Sequence, residues 1–238
     1  LRLGGRNVNV ELKQCSDVAL AVEAALICTG NDNKVAQYLD PSQRRGEQLL
    51  MSLIRRGHHS VLEHLVYTFK IDGVSRALLQ EIARHRHISL SVLSTRWALK
   101  KMEPLRMVLP HDVVSYANGR HFIPAEAQGL LKEDQFGQIL RACLQLLEEV
   151  EDAKALLPND VLKYFLPEGV PTRLLLTTNL RELRHIYALR HASEALAEFR
   201  NLMAAIRDSL PEPHRQLLVY GIEAQKAEEA GGSADAAY

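Results

Sequence analysis

Apolar and polar positions alternate over residues 7–13, with Val8, Val10 and Leu12 set against Asn7, Asn9 and Glu11, which predicts a strand. Ser16-Asp17 opens a helical run through Leu26, and Asn31-Asp32-Asn33 reads as a turn or loop. Over 44–56 the apolar residues Leu49, Leu50, Leu53 and Ile54 fall at helical spacing, and Gly57 is a natural stop. Alternation returns over 64–71, where Leu65, Tyr67, Phe69 and Ile71 share one face, and Asp72-Gly73 is expected to break that strand. Val74 to Ala83 reads as a helix running into Arg84-His85-Arg86-His87, and residues 105–109 suggest a short strand before Pro110.

The longest helical pattern covers 126–152, through Leu130, Leu131, Ile139, Leu140, Cys143, Leu146, Leu147 and Val150. Pro158-Asn159-Asp160 looks like a helix start, and Thr172 to Thr178 reads as a buried strand. Asn179 can cap the helix that follows through its side-chain oxygen, and another helix is expected over 193–208. Strands and helices mix without a regular βαβ alternation, which favours an α+β fold with a mixed or antiparallel sheet and packed helices. One catalytic domain is expected over 1–223. The segment 224–238, charged and then rich in small residues, reads as a mobile tail.

Bulk composition narrows the function by exclusion. The 238 residues carry no net charge, so any anion binding must come from local clusters. Three cysteines without a CxxC pair argue against a disulfide framework and fit a reducing cytoplasm. No secretory signal is visible, and no apolar run approaches the roughly 20 residues needed to span a bilayer. Cys15, Cys28 and Cys143 all read as core residues rather than nucleophiles. The GxGxxG and GxxxxGK[ST] signatures are missing.

Three polar clusters remain. Arg84-His85-Arg86-His87 is followed by Ser89, Ser91, Ser94, Thr95 and Arg96. Arginine forks with hydroxyls and loop N–H groups can cradle a phosphate, but a solvated basic helix end gives the same string. Gly57-His58-His59-Ser60 with Glu63-His64 precedes a strand. Its spacing argues against zinc, which prefers His at i and i+4 of one helix, and leaves a structural turn or a ligand loop. Thr178-Asn179-Leu180-Arg181, with Arg184, His185 and Arg190, can present N–H groups and cations to a phosphate, or be an ordinary charged helix. A basic protein surface for RNA is disfavoured because aromatics are only 5% of the chain, and stacking on bases needs them.

Together these stretches resemble the flavin-dependent thymidylate synthases, the thymidylate synthase-complementing protein family. Arg84-His85-Arg86, seven residues, then Ser94 matches the family's Arg-His-Arg motif, and Arg96 fits two positions on. Gly57-His58-His59-Ser60 looks like its Gly-His loop. Leu166-Pro167, Thr172-Arg173, Thr178-Asn179-Leu180-Arg181 and Leu189-Arg190 follow in order, and the resemblance covers about residues 16 to 215. It implies that family's α+β fold, a homotetramer with shared active sites, FAD as cofactor, NADPH and methylenetetrahydrofolate as cosubstrates, and dUMP as substrate. No metal, membrane or nucleic acid is implied, and the location implied is cytoplasmic.

Carried over by position, the resemblance implies that Arg84, His85 and Arg86 contact FAD, with Ser60, Asn179, Arg181 and His185 completing its site. Ser94, Thr95 and Arg96 would hold the nucleotide phosphate, with Glu81, Arg84, Leu93 and Lys163 also touching substrate. Arg190 would act catalytically at the uracil edge, and His58 near the folate or flavin ring. Val92, Lys163 and Glu194 depart from common family residues. They leave open the same chemistry on UMP, or a catalytically silent binder.

Overall fold

The computed structural model describes residues 8–102, 105, 107–108, 133–192 and 194–222. Its strands are β1 (Asn9–Cys15), β2 (Val66–Ser75), β3 (Ile88–Val92) and β4 (Pro171–Asn179). They form a single sheet in the order β1-β2-β4-β3, so the strand latest in the chain inserts between β2 and β3. Long-range pairing of this kind, with helices packed on it, is the expected α+β architecture. The helices are α1 (Val18–Ile27), α2 (Val35–Tyr38), α3 (Arg45–Arg55), α4 (Arg76–Ala83), α5 (Thr95–Ala98), α6 (Glu133–Ala153), α7 (Asn159–Leu162), α8 (Leu180–Arg190), α9 (Ala197–Ser209) and α10 (Glu212–Val219).

Local chemistry explains several boundaries. Asp17 caps α1 by accepting from the Ala19 N–H at 2.8 Å. Gly57, at φ +77°, ends α3: its N–H bonds the Ile54 carbonyl at 3.0 Å, and the His58 N–H bonds Leu53 at 2.9 Å. That pair of bonds is the glycine-centred Schellman closure. Ser75 caps α4 through Leu78 N at 3.0 Å, and Asn179 caps α8 through Glu182 N at 2.9 Å.

The chain divides into two compact units, one around Ile71–Arg84 and Ser91–Leu174, the other around Val10–Lys70, His85–Leu90 and the chain from Leu175 onward. In the first, Leu99, Leu105, Leu147, Val150, Leu162 and Val170 form a buried cluster. The Arg76 and Ala77 N–H groups bond the Val170 and Glu168 carbonyls at 3.1 and 3.0 Å, tying the start of α4 to the loop before β4. In the second, Leu50, Leu62, Leu65, Tyr67, Phe69, Leu180 and Leu217 are fully buried, and α1 packs on α3 and on the 3-10 turn Ser60–His64.

Several expectations need correction. Asp72-Gly73 does not end β2, which runs on to Ser75. Gly73 takes φ +84°, and Val74 and Ser75 beyond it are both buried, so the glycine bends a strand that continues. β4 is not buried on both faces: Thr172, Leu174, Leu176 and Thr178 point inward while Leu175 is 41% exposed. Leu105, Met107 and Val108 lie in no strand. The Leu105 N–H goes to the Glu151 carboxylate at 3.0 Å and the Val108 N–H to the Gly169 carbonyl at 2.7 Å, so neither enters a ladder. α6 is described from Glu133 onward, and residues 126–132 of the expected helix lie outside the described residues, as does the tail 224–238. None of the cysteines is fully buried, and Cys28 is exposed at the end of α1. The sequence pattern does not predict β3, α2, α5 or α10.

A buried polar chain crosses the second unit. Tyr67 Oη lies 2.8 Å from His214 Nδ1, and His214 Nε2 lies 3.4 Å from Cys15 Sγ. Burial pushes the Tyr67 hydroxyl well above its ordinary value, so it stays protonated and donates to Nδ1. The ring proton then sits on Nε2 and faces the sulfur, and the thiol lies 3.5 Å from the Ser16 carbonyl. Burial, with Asp17 adding to it, pushes the Cys15 thiol up. Burial pulls His214 below its ordinary 6.5, against Asp17.

Two outcomes follow from this packing. Because folding depresses the His214 pKa, the unfolded chain binds more protons, and the stability this contributes is complete above about 6.5 and is lost as pH falls below it. Melting temperature should therefore drop more steeply from about pH 7 to pH 5 in the parent than in His214→Gln; parallel curves would contradict the assignment. Arg184 is buried, and its guanidinium donates to the carbonyls of Leu217, Leu218 and Tyr220, the latter two at 2.8 Å. Burial pulls its pKa down to about 10. Arg184→Ala leaves the last turn of α10 without its donor and should cost about 3 kcal/mol in denaturant unfolding. Arg184→Lys should recover only part, since an ammonium cannot span the carbonyls as a planar fork does.

Candidate functional site

The first group of candidate residues gathers where β4 turns into α8. Leu180 N–H bonds the Leu65 carbonyl at 2.8 Å, which sets the start of α8 beside the Ser60–His64 turn. A cavity of about 640 Å³ opens there, lined by His59 and Glu63 from the turn and by His87. Asn179 at the end of β4 lines it together with Arg181, Glu182, Arg184, His185 and Ala188 of α8, and with Ile222. Its volume lies within the roughly 300–1,000 Å³ of small-molecule and cofactor sites. The lining is rich in N–H donors beside the N-terminus of an eleven-residue helix, a favourable setting for a phosphate or pyrophosphate. A dinucleotide cofactor with a charged diphosphate fits that donor set.

Within this group the side chains have distinct partners. Arg181 is exposed and pairs with Glu63 at 2.6 Å across the cavity wall. Asn179 lines the cavity while its oxygen caps α8. Thr178 Oγ1 reaches the His87 carbonyl at 3.4 Å and holds the end of the Arg-His segment to β4. His185 is exposed, its ring centroid 6.3 Å from that of His85. The His85 side chain is only 7% exposed, with Nδ1 3.8 Å from Glu182 Oε1. Arg190 donates from Nε to His85 Nε2 at 3.4 Å, and its Cζ stands 5.1 Å from the Phe199 ring centroid. Arg190 is thus steered by one imidazole and stacked on one aromatic face.

His58 and Ser60 lie on the same turn as His59 but are exposed and outside the cavity lining, and Arg86 is likewise exposed. Among the described residues no three His, Cys, Asp or Glu side chains converge as a metal cluster.

The second group lies in the other unit. Ser94 precedes the short helix α5, its carbonyl accepting from Trp97 and Ala98 N–H at 3.2 and 2.9 Å. Leu93 N–H bonds the Arg173 carbonyl at 2.9 Å, anchoring the end of β3. Arg96 Nε is 3.1 Å from Asp160 Oδ1, and Lys163 Nζ approaches the same oxygen at 3.8 Å. Asn159 Nδ2 donates to the Arg96 carbonyl at 2.9 Å, so α5 and α7 are pinned together with Thr95, Arg96 and Lys163 on neighbouring turns. Arg84 and Glu81 pair at 3.8 Å on α4, with Arg84 largely exposed. The half-buried Val92 ends β3, and Glu194 is exposed.

Glu182, Phe199 and Asp160 escaped sequence reasoning as site residues, while Glu63 was visible in the Gly-His cluster without its Arg181 partner. Asn179-x-x-Glu182 has the spacing of a capping box, which reads Glu182 as a local helix contact. Its carboxylate instead faces His85, nearly a hundred positions away in the chain. The acid three residues after a cap was the only signal available, and it points to a different partner. Arg184 had been grouped with the ligand-facing cations, but its guanidinium serves the end of α10.

Known proteins bear directly on this arrangement. The profile of the family described as thymidylate synthase complementing protein matches residues 12–213. A flavin-dependent thymidylate synthase from Wolinella succinogenes is 40% identical over 161 residues, covering 67% of this chain and 74% of the relative. One from Campylobacter jejuni is 39% identical over 159 residues, covering 66% and 72%. A crystal structure of thymidylate synthase X from Helicobacter pylori, with FAD and dUMP, superposes with a TM-score of 0.67 at 29% identity, over 89% of this chain and 97% of that one. The matched span contains both groups of polar residues, and on that ground the chain belongs to the thymidylate synthase complementing protein family.

Proposed function

We propose that this protein is a flavin-dependent thymidylate synthase, converting dUMP to dTMP by methylation at C5. The observation that carries the reading is the cavity at the start of α8, lined by His59, His87, Arg181 and His185, with Arg190 fixed on His85 nearby. FAD, when bound, supplies the hydride for the reaction. Methylenetetrahydrofolate as carbon donor, NADPH as reductant and a homotetrameric assembly complete the proposal. Self-association is supported by Trp97, Leu156 and Tyr164, which are 75%, 83% and 80% exposed.

In this reading His59, His87, Arg181 and His185 donate to the cofactor's diphosphate, and the α8 N-terminus adds its dipole. Ser94, Thr95, Arg96 and Lys163 take the nucleotide phosphate, which joins or displaces Asp160. Ser60, Arg84, Arg86, Glu81, Leu93 and His58 keep the contacts that the family motifs assign to their positions. Arg190 stabilises negative charge that develops on the uracil edge as C5 becomes nucleophilic. It is permanently charged, backed by Phe199 and oriented by His85, so little reorganisation is needed when the charge appears.

No cysteine adds to C6 in this scheme, and none of the three lines the cavity at the start of α8. Cys15 has a raised pKa and faces His214. Cys28 lies at the exposed C-cap of α1.

The decisive experiment is turnover of purified protein with dUMP and UMP side by side, with the flavin spectrum recorded and NADPH oxidation followed with and without nucleotide. dTMP formation with bound flavin is expected, and a flavin-free protein that ignores both nucleotides would sink the reading. Arg181→Ala removes a charge-assisted contact worth about 1.5–3 kcal/mol, so it should bind FAD about tenfold or more less tightly in titration. Its loss of the exposed Glu63 pair should barely alter melting, since such pairs contribute about 0–1 kcal/mol. Arg190→Ala should lower turnover at saturating dUMP by about a hundred- to a thousandfold with flavin retained. Turnover within a few-fold of the parent would remove Arg190 from the reaction.

A further inference from the structure

An arginine side chain keeps its proton at any working pH, so Arg190 Nε can only donate. His85 Nε2, 3.4 Å away, must therefore present a lone pair. A proton there would set two N–H groups against each other. The proton of the neutral ring is left on Nδ1, which faces Glu182 Oε1 at 3.8 Å. That separation exceeds a hydrogen bond, so Glu182 acts through its charge. Both side chains are nearly sealed, 7% and 11% exposed, and a carboxylate so placed is screened little by water. The ring plane is held edge-on by Phe199, with centroids 6.0 Å apart at 88°, and by His185 at 6.3 Å and 78°. Phe199 is also the ring under Arg190, so the same aromatic registers both partners. Glu182 is placed in turn by the first turn of α8, where its N–H is held by Asn179.

We propose that Glu182 is a positioning residue: its carboxylate holds His85 in the Nδ1–H tautomer, and that tautomer orients the Arg190 guanidinium. The proposal rests on the reading of the protein as a dUMP methylase, which gives the orientation of Arg190 its consequence. The chain Glu182–His85–Arg190 runs from the first turn of α8 to its last through a residue of another segment, so it sets both ends of the helix relative to the Arg-His cluster. Charge, not shape, is the property of Glu182 that matters.

The test compares Glu182→Gln, which keeps the shape and loses the charge, with Glu182→Asp, which keeps the charge and shortens the side chain. The tautomer is read by ¹⁵N NMR of the flavin-loaded enzyme labelled at histidine, with His85 assigned by its disappearance in His85→Gln. The parent should show Nδ1 protonated and Nε2 bare, and Glu182→Gln should show mixed tautomers. In Glu182→Gln, kcat for dTMP should fall about tenfold or more while KM for dUMP and flavin content stay within about threefold. Glu182→Asp should retain more kcat than Glu182→Gln, the reverse of what a packing role gives. A proton on Nε2 in the parent, an unchanged tautomer in Glu182→Gln, or Glu182→Asp falling below Glu182→Gln each overturns the proposal. If the parent makes no dTMP yet its tautomer responds to Glu182→Gln, the functional reading fails and the tautomer lock stands.

Discussion

The junction of β4 and α8 rests on a single side chain. Asn179 ends the strand, and its Oδ1 takes the Glu182 N–H at 2.9 Å, while Leu180 N–H is held by Leu65 at 2.8 Å. These two bonds set where α8 begins and how it is rotated. One stripe of the helix then buries Leu183, Ile186 and Tyr187. Arg181 and His185 turn toward the cavity, Arg184 toward the carbonyls of α10, and Arg190 emerges in the last turn against His85. Rotating an α-helix by one residue moves its side chains by about 100°. A shifted cap would exchange the arginine that meets the α10 carbonyls for one that faces the cavity, so the cap decides which cation goes where.

Where local chemistry determined an element, the sequence disclosed it. Gly57 at the end of α3, Asp17 and Asn179 as caps, and the Leu65–Ile71 face were all legible because each depends on neighbours in the chain. What stayed hidden depends on distant partners. Asp72-Gly73 has turn chemistry, but the β2 ladder overrides it and Gly73 supplies the bend. Leu175 reads as core, yet the period of the strand turns it outward. The motif residues Arg84, His85 and Arg86 were visible as a cluster; that His85 is nearly sealed while Arg84 and Arg86 stay exposed was not. Burial of alternate residues in a short loop is decided by what packs above it, here Phe199 and α8.

The zero net charge has a local counterpart. Arg181 rests on Glu63, Arg96 and Lys163 on Asp160, and Arg84 on Glu81. Each of these candidate anion-binding cations has a carboxylate as a resting partner, exposed at Glu63 and Asp160 and half-buried at Glu81. Such pairs are screened and contribute about 0–1 kcal/mol, so a phosphate that bonds in a bidentate manner can replace them at little cost. Meanwhile the carboxylates hold long side chains near a working geometry, which lowers the entropy that binding must overcome. Exposed pairing thus prepares a site without locking it.

Arg190 is held in another way as well. An imidazole and an aromatic face, those of His85 and Phe199, lie against its guanidinium. A guanidinium on an aromatic face keeps its full charge, because the ring attracts the cation without neutralising it. His85 adds only a lone pair, provided its proton lies on the far nitrogen. In the proposed reading, a cation held in this way would stabilise a uracil carrying developing negative charge more than neutral uracil, and a difference of that kind lowers a barrier. In that reading the negative charge that accompanies a nucleophilic C5 is stabilised by the Arg190 cation, and no covalent thiolate takes part. Glu182 stands on the remote side of His85 from Arg190, so the imidazole lies between that carboxylate and the guanidinium, and a charge on one can reach the other only through the ring it faces.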